Sequence, residues 1–146
     1  MFKRLLVAYD GSEDSRKALE TALELASKFG SQVHLLTVVD DLPRFTTTMY
    51  EVDATLKRST RRIEQQHALA HMIARKHGVE IECSIQPGNK VYTILAYAQK
   101  NDCDALLIGH KSRSALWRAF KGSTAIELAS RAPCMTILTQ ADTDGE

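Results

Sequence analysis

The sequence predicts an α/β fold: a doubly wound, open, parallel five-stranded sheet with helices on both faces. Three observations predict it. Short apolar runs alternate with amphipathic segments along the whole chain, giving the order βαβαβαβαβ. The runs from Leu5 to Tyr9 and from Ala105 to Ile108 carry no charge, as strands buried on both faces require. Helical segments separate every pair of strands and can serve as the right-handed crossovers that parallel neighbours need.

The first strand spans Lys3 to Tyr9 and ends at Asp10-Gly11-Ser12. Ser12 suits an N-cap, and Glu13 and Asp14 match the positive end of a helix dipole. The helix runs to Phe29 with Ala18, Leu19, Ala22, Leu25 and Ala26 on one stripe, and Gly30 stops it. Val33 to Val39 is the second strand, closed by Asp41-Leu42-Pro43, and Pro43 to Tyr50 reads as loop. Glu51 to His77 is a long polar helix with a narrow stripe of Val52, Leu56, Ile63, Ala70, Ile73 and Ala74, ended by Gly78. Val79 to Ile85 alternates apolar with polar, as a partly exposed strand does. Pro87-Gly88-Asn89 is a turn in which Asn89 caps a helix over Val91 to Lys100. Ala105 to Ile108 is the fourth strand and ends at Gly109. A polar, basic loop runs to Lys121, Gly122-Ser123-Thr124 opens a helix to Arg131, and Pro133 blocks its continuation. Cys134 to Leu138 is the fifth strand. One domain is expected over 1–140, with a frayed tail over 141–146. These signals leave the strand order open.

Composition removes several classes. With 146 residues, 44% apolar and 25% charged, the chain matches one ordinary soluble domain that buries a core without staples. Nineteen basic and 18 acidic side chains give a net charge of +1, against broad nucleic-acid binding. No apolar run approaches the roughly 20 residues of a membrane span, and no signal-peptide region follows the N-terminus. Cys83, Cys103 and Cys134 form no CxxC pair, which reads as reduced thiols in a cytoplasmic protein.

In open α/β sheets ligands bind beyond the carboxyl ends of the strands, at the topological switch point. Strand one ends at Asp10-Gly11-Ser12 and strand four at Gly109 and the basic loop, so the two features line one crevice if those strands are neighbours. From Ala105 to Ile126 there is no acid, while Lys111, Arg113, Arg118 and Lys121 give a charge of +4 that attracts anions. Gly122-Ser123-Thr124 offers free N–H groups, a helix dipole and two hydroxyls to a phosphate, or equally a plain glycine turn with a serine cap. Neither GxGxxG after strand one nor GxxxxGK[ST] occurs, so a mononucleotide phosphate fits better than a dinucleotide.

Gly109-His110-Lys111-Ser112, nine residues, then Gly122-Ser123 follows the pattern G-x-x-G, nine residues, G-[ST]. With LLVAYDGSEDSRKAL from Leu5 and GSTAIELASRAPCMTIL from Gly122, the chain resembles the ATP-binding branch of the universal stress proteins over nearly its whole length. The motif's second glycine is here Ser112. The resemblance implies a Rossmann-like, adenine nucleotide α-hydrolase-like sheet of order 3-2-1-4-5, with strands one and four adjacent. It implies that Ala8 and Tyr9 flank the base, Asp10 sits at the nucleoside end and Val38 meets adenine. It sets Gly109 on the ribose side and Lys111, Ser112, Gly122, Ser123 and Thr124 around the phosphates. It further implies ATP or AMP as the ligand, with Asp10 also able to touch a nucleotide-bound magnesium, and a homodimer through the edge strand Cys134 to Leu138. If position 112 needs positive φ, Ser112 costs on the order of 1 kcal/mol, less than tenfold or so in affinity.

Other features read as structural. His67 and His71, four apart, are expected on a solvated helix face with no third metal ligand, and His34 in strand packing. His110 is open to ligand or solvent. Lys57, Arg58, Arg61 and Arg62 read as a charged outer face, lacking aromatics nearby to stack bases. Trp117 and Phe120 read as anchors of the basic loop on the core, with a lid or partner contact as the alternative. No catalytic set is present, leaving at most slow ATP hydrolysis or autophosphorylation on Ser123 or Thr124. The leading function is a nucleotide-binding stress-response sensor or regulator with a downstream protein partner that the sequence does not name. A homodimeric interaction protein of the same fold without nucleotide is the alternative, and a hydrolase-like enzyme is a third reading.

Overall fold

The computed structural model describes residues 1–39, 49–110 and 124–140, the side chains of 49–56 excepted. Lys111, Ser112, Gly122, Ser123, the basic loop with Trp117 and Phe120, and the tail lie outside the described residues. The strands are β1 (Arg4–Ala8), β2 (Gln32–Val39), β3 (Ile81–Pro87), β4 (Ala105–Gly109) and β5 (Met135–Thr139). The described helices are α1 (Glu13–Phe29), α2 (Met49–Lys76), α3 (Lys90–Lys100) and α4 (Thr124–Arg131). All four strand pairings are parallel, and the order is β3-β2-β1-β4-β5.

Strand alternation sorts the core into two layers. Leu5, Val7, Leu35 and Leu107 face α1 and α2, against Leu19, Leu23, Ala70 and Ala74. Leu6, Leu36, Leu106 and Ile108 face α3 and α4, against Ile94, Tyr97 and Leu128. β1 and β4 are buried on both faces, which is why their sequences lack alternation. β1 is also tied at its start, where the Asp104 carboxylate accepts the Lys3 and Arg4 amides at 2.8 and 3.2 Å.

The caps follow local chemistry. Ser12 Oγ accepts the Ser15 amide at 3.2 Å and Asn89 Oδ1 the Tyr92 amide at 2.9 Å, opening α1 and α3. Gly30 takes φ +68°, the left-handed C-cap that favours glycine. Several boundaries move by one or two residues, among them the start of α2, at Met49 rather than Glu51, so that Met49 and Tyr50 are helix rather than loop. β3 starts at Ile81 rather than Val79 because the Val79 amide still bonds the Ala74 carbonyl. β5 runs from Met135 to Thr139 because its register carries Thr139 opposite Gly109. Among the described residues, no helix is long and apolar enough to cross a membrane.

Candidate functional site

β1 and β4 pair side by side, Leu5 against Ala105 through Ala8 against Ile108. β2 continues the sheet beyond β1, whereas the chain reaches β4 by crossing to β1's other side, so the connections diverge at this point. A cavity of about 400 Å³ opens there, beyond the carboxyl ends of these strands. Ala8, Leu36, Val38, Ile94, Ile108, Ala125 and Leu128 form its apolar lining. Asp10, Ser12, Asp14, Ser15, Lys90, His110 and Thr124 supply polar groups, and Tyr9 and Gly109 complete it.

Of the residues expected to meet ligand, Ala8, Tyr9, Asp10, Val38, Gly109 and Thr124 thus come together on one cavity. Lys111, Ser112, Gly122 and Ser123 lie outside the described residues. Ser12, Ser15, Leu36, Lys90, Ile94, Ala125 and Leu128 were not singled out as cavity residues by the sequence reading. Leu36, two positions before Val38 on the same strand face, and the caps of α1 follow from strand period and turn chemistry.

Asp10 is the central polar group. Its carboxylate accepts the Ser12 amide at 2.9 Å, and its own amide donates to Ser15 Oγ at 3.3 Å. Burial works against its charge, but hydrogen bonds from Ser12 and Ser15 and the Lys90 ammonium outweigh burial and hold the carboxyl below its ordinary value. It therefore presents a fixed anion to the cavity at neutral pH.

Gly109 serves the packing. A Cβ at this position falls 2.6 Å from the Ser15 nitrogen and closer still to the Asp14 carbonyl. Only glycine lets the end of β4 rest against the first turn of α1. Thr139 of β5 adds a hydroxyl bond to the Asp14 carbonyl at 3.4 Å, and its carbonyl takes the His110 amide at 2.7 Å. The wall of the cavity is thus backbone against backbone.

The histidine expectation needs correction. His67 is buried rather than solvated, and its Nε2 lies 2.7 Å from Thr37 Oγ1. It falls four positions after Ile63 and three before Ala70, so it shares their buried stripe. His71 is half-buried, 3.4 Å from Cys83 Sγ. His34 packs in the other layer, its Nδ1 2.9 Å from the Tyr97 hydroxyl. Burial pushes the Cys83 and Cys103 thiols up to about 11, so both are protonated and poorly nucleophilic at neutral pH. Lys57, Arg58, Arg61 and Arg62 are exposed, as the charged outer face requires.

Burial, with His71 adding to it and Glu64 opposing, lowers the His67 pKa below its ordinary 6.5. Above 6.5 both folded and unfolded chains hold neutral imidazole there. As pH falls through that value the unfolded chain takes the proton first, so stability declines until folded His67 also titrates. Thermal melts between pH 8 and pH 5 are expected to show a steeper acid loss in the wild type than in His67→Gln. Equal slopes would contradict it.

The universal stress protein family profile matches residues 1–140. A universal stress protein of Methanocaldococcus jannaschii is 27% identical over 142 residues, covering 96% of this chain and 83% of the other. One from Thermus aquaticus is 28% identical over 141 residues, covering 96% and 100%. Among solved structures, UspA of Lactobacillus plantarum superposes with a TM-score of 0.79 at 22% identity, covering 94% and 97% of the two chains. A universal stress protein in complex with cAMP gives 0.75 at 19% identity, covering 96% and 98%. One from Archaeoglobus fulgidus in complex with dAMP gives 0.65 at 19% identity, covering 95% and 98%. At these identities the superpositions establish the fold.

Proposed function

The chain belongs to the universal stress protein family, and from that premise we propose that it is a cytoplasmic stress-response protein that binds an adenine nucleotide, ATP or AMP, as a sensor or regulator. The observation that carries this reading is the cavity at the junction of β1 and β4. Its volume of about 400 Å³ and its lining, shared between apolar and polar residues, suit a small organic ligand with both a flat apolar part and hydrogen-bonding groups. Ala8, Val38, Ile94 and Ile108 offer flat apolar contact to a base. Asp10, ionised and locked, is an acceptor for ribose hydroxyls. Thr124 opens α4 at the cavity, and the motif residues Lys111, Ser112, Gly122 and Ser123, outside the described residues, are the ones the family pattern assigns to the phosphates. Two structural relatives bound to cAMP and dAMP support the adenine class.

Among the described residues, no three His, Cys, Asp or Glu side chains converge to hold a metal. Magnesium would arrive with the nucleotide, and Asp10 would contact it only in place of a ribose hydroxyl. The response follows occupancy, with turnover at most slow. A second copy covers the β5 edge, where Met135 and Leu138 are 45% and 43% exposed, pairing over Cys134 to Leu138.

Calorimetric titration of ATP into nucleotide-free protein, at near-physiological magnesium, is expected to give saturable binding. Mass spectrometry of the small molecule released on denaturation is expected to recover ATP or AMP. Neither heat nor a thermal shift at millimolar ATP would end the nucleotide reading and leave the homodimeric interaction role.

A further inference from the structure

At the end of β1 the sheet ladder stops, yet the Tyr9–Asp10 peptide plane is held at both edges. Its N–H, that of Asp10, donates to Ser15 Oγ at 3.3 Å. Its carbonyl, that of Tyr9, accepts from Thr37 Oγ1 at 2.7 Å. A carbonyl has no hydrogen to give, so the Thr37 hydroxyl uses its one proton there. His67 Nε2, 2.7 Å from the same hydroxyl, must then be the donor. This fixes the imidazole as the Nε2–H tautomer and makes a hydrogen-bond chain running His67 to Thr37 to Tyr9, from α2 through β2 to the residue that follows β1. Thr37 and His67 are 5% and 6% exposed, so water does not compete for these bonds. The Tyr9 ring packs on the His67 ring, centroids 6.4 Å apart, and the Tyr9 amide bonds the Leu36 carbonyl at 2.9 Å.

We propose that Thr37 and His67 are positioning residues for the cavity: their hydrogen-bond chain fixes the Tyr9–Asp10 peptide plane and so aims the Asp10 carboxylate. Neither residue lines the cavity; both act through Tyr9. The titratable groups around the chain are Tyr9 and Asp10 just past β1, Arg16 from α1, Cys83 from β3, and Glu64 and His71 from α2 itself. The consequence for nucleotide affinity rests on the nucleotide reading; the aiming of Asp10 does not.

The test compares Thr37→Val, Thr37→Ser and His67→Leu with the wild type. Imidazole nitrogen NMR of the nucleotide-free wild type is expected to find His67 protonated at Nε2 and bare at Nδ1; the opposite tautomer overturns the proposal without any variant. The Asp10 carboxyl titration, followed by NMR, is expected to move up toward its ordinary value in Thr37→Val and in His67→Leu, and to stay in place in Thr37→Ser. The two disruptive variants enter the chain at different points, so either one that folds decides the matter. An unmoved Asp10 titration in a folded variant means a merely structural role and overturns the proposal. With ATP as the probe, Thr37→Val is expected to weaken binding about tenfold while Thr37→Ser retains it. If the wild type binds no ATP, the nucleotide reading fails alone, and the Asp10 titration still decides whether Thr37 and His67 position it.

Discussion

Gly109→Ala is expected to lower stability by about 3 kcal/mol or more, large for one methyl group. The reason is the nature of the neighbour. The added Cβ meets the Asp14 carbonyl and the Ser15 nitrogen, backbone atoms of a capped helix turn, not the free end of a side chain. Relief requires α1 to back away from β4, and α1 is held by Leu19, Leu23 and Ala22 in the core. In a chain of this size the loss corresponds to a fall in melting temperature of roughly 6–12 °C. Adenine nucleotide binding is expected to fall with it, since the displaced turn carries Ser12 and Ser15, which hold Asp10. Thermal melts with calorimetric titration of the folded fraction check both. A variant within about 0.5 kcal/mol of wild type would show that the turn yields freely.

Leu107→Ala is expected to cost about 2–5 kcal/mol, through lost transfer energy and the cavity it leaves. Leu107 is fully buried on the interior strand β4, beneath α1 and beside Leu5 and Val7. Such a loss is a large share of the roughly 5–15 kcal/mol that stabilises a typical domain. Leu69→Ala is the control: at 57% exposed on α2, it is expected to stay within about 0.5 kcal/mol. Urea melts of the two variants should separate them clearly, and similar midpoints would mean that the sheet face relaxes around Leu107.

Much of the fold was legible because its signals are local. Ser12, Gly30, Asn89 and Gly78 punctuate helices by turn chemistry that needs no distant partner. Leu5 to Tyr9 and Ala105 to Ile108 announced two-sided burial by lacking alternation. The strand order was not local, and it came from the resemblance rather than from periodicity. Asp10 and Gly109 were legible as crevice residues because they sit at strand ends, where this topology opens, whereas Val38 came from the resemblance alone. His67 was misjudged as solvated although it stood in register with Ile63 and Ala70. Its polarity outweighed its position, and the Thr37 hydroxyl that satisfies it lies 30 residues away in sequence. The packing role of Gly109 was equally hidden, since nothing near residue 109 in sequence tells that α1 passes so close.

The sheet order also dictates when the site can exist. β1 is synthesised first but belongs in the middle of the sheet, and its β4 side stays unpaired until residue 105 and beyond have been made. Lys3 waits for Asp104, 101 positions later. At the usual 5–20 residues per second, that is about 5–20 s during which β1 waits without its β4 partner. Neither the aimed Asp10 nor the Gly109 wall can be assembled from an incomplete chain. The cavity between β1 and β4 is therefore complete only once β4 and Gly109 have been made, and β1 is the strand left exposed until then.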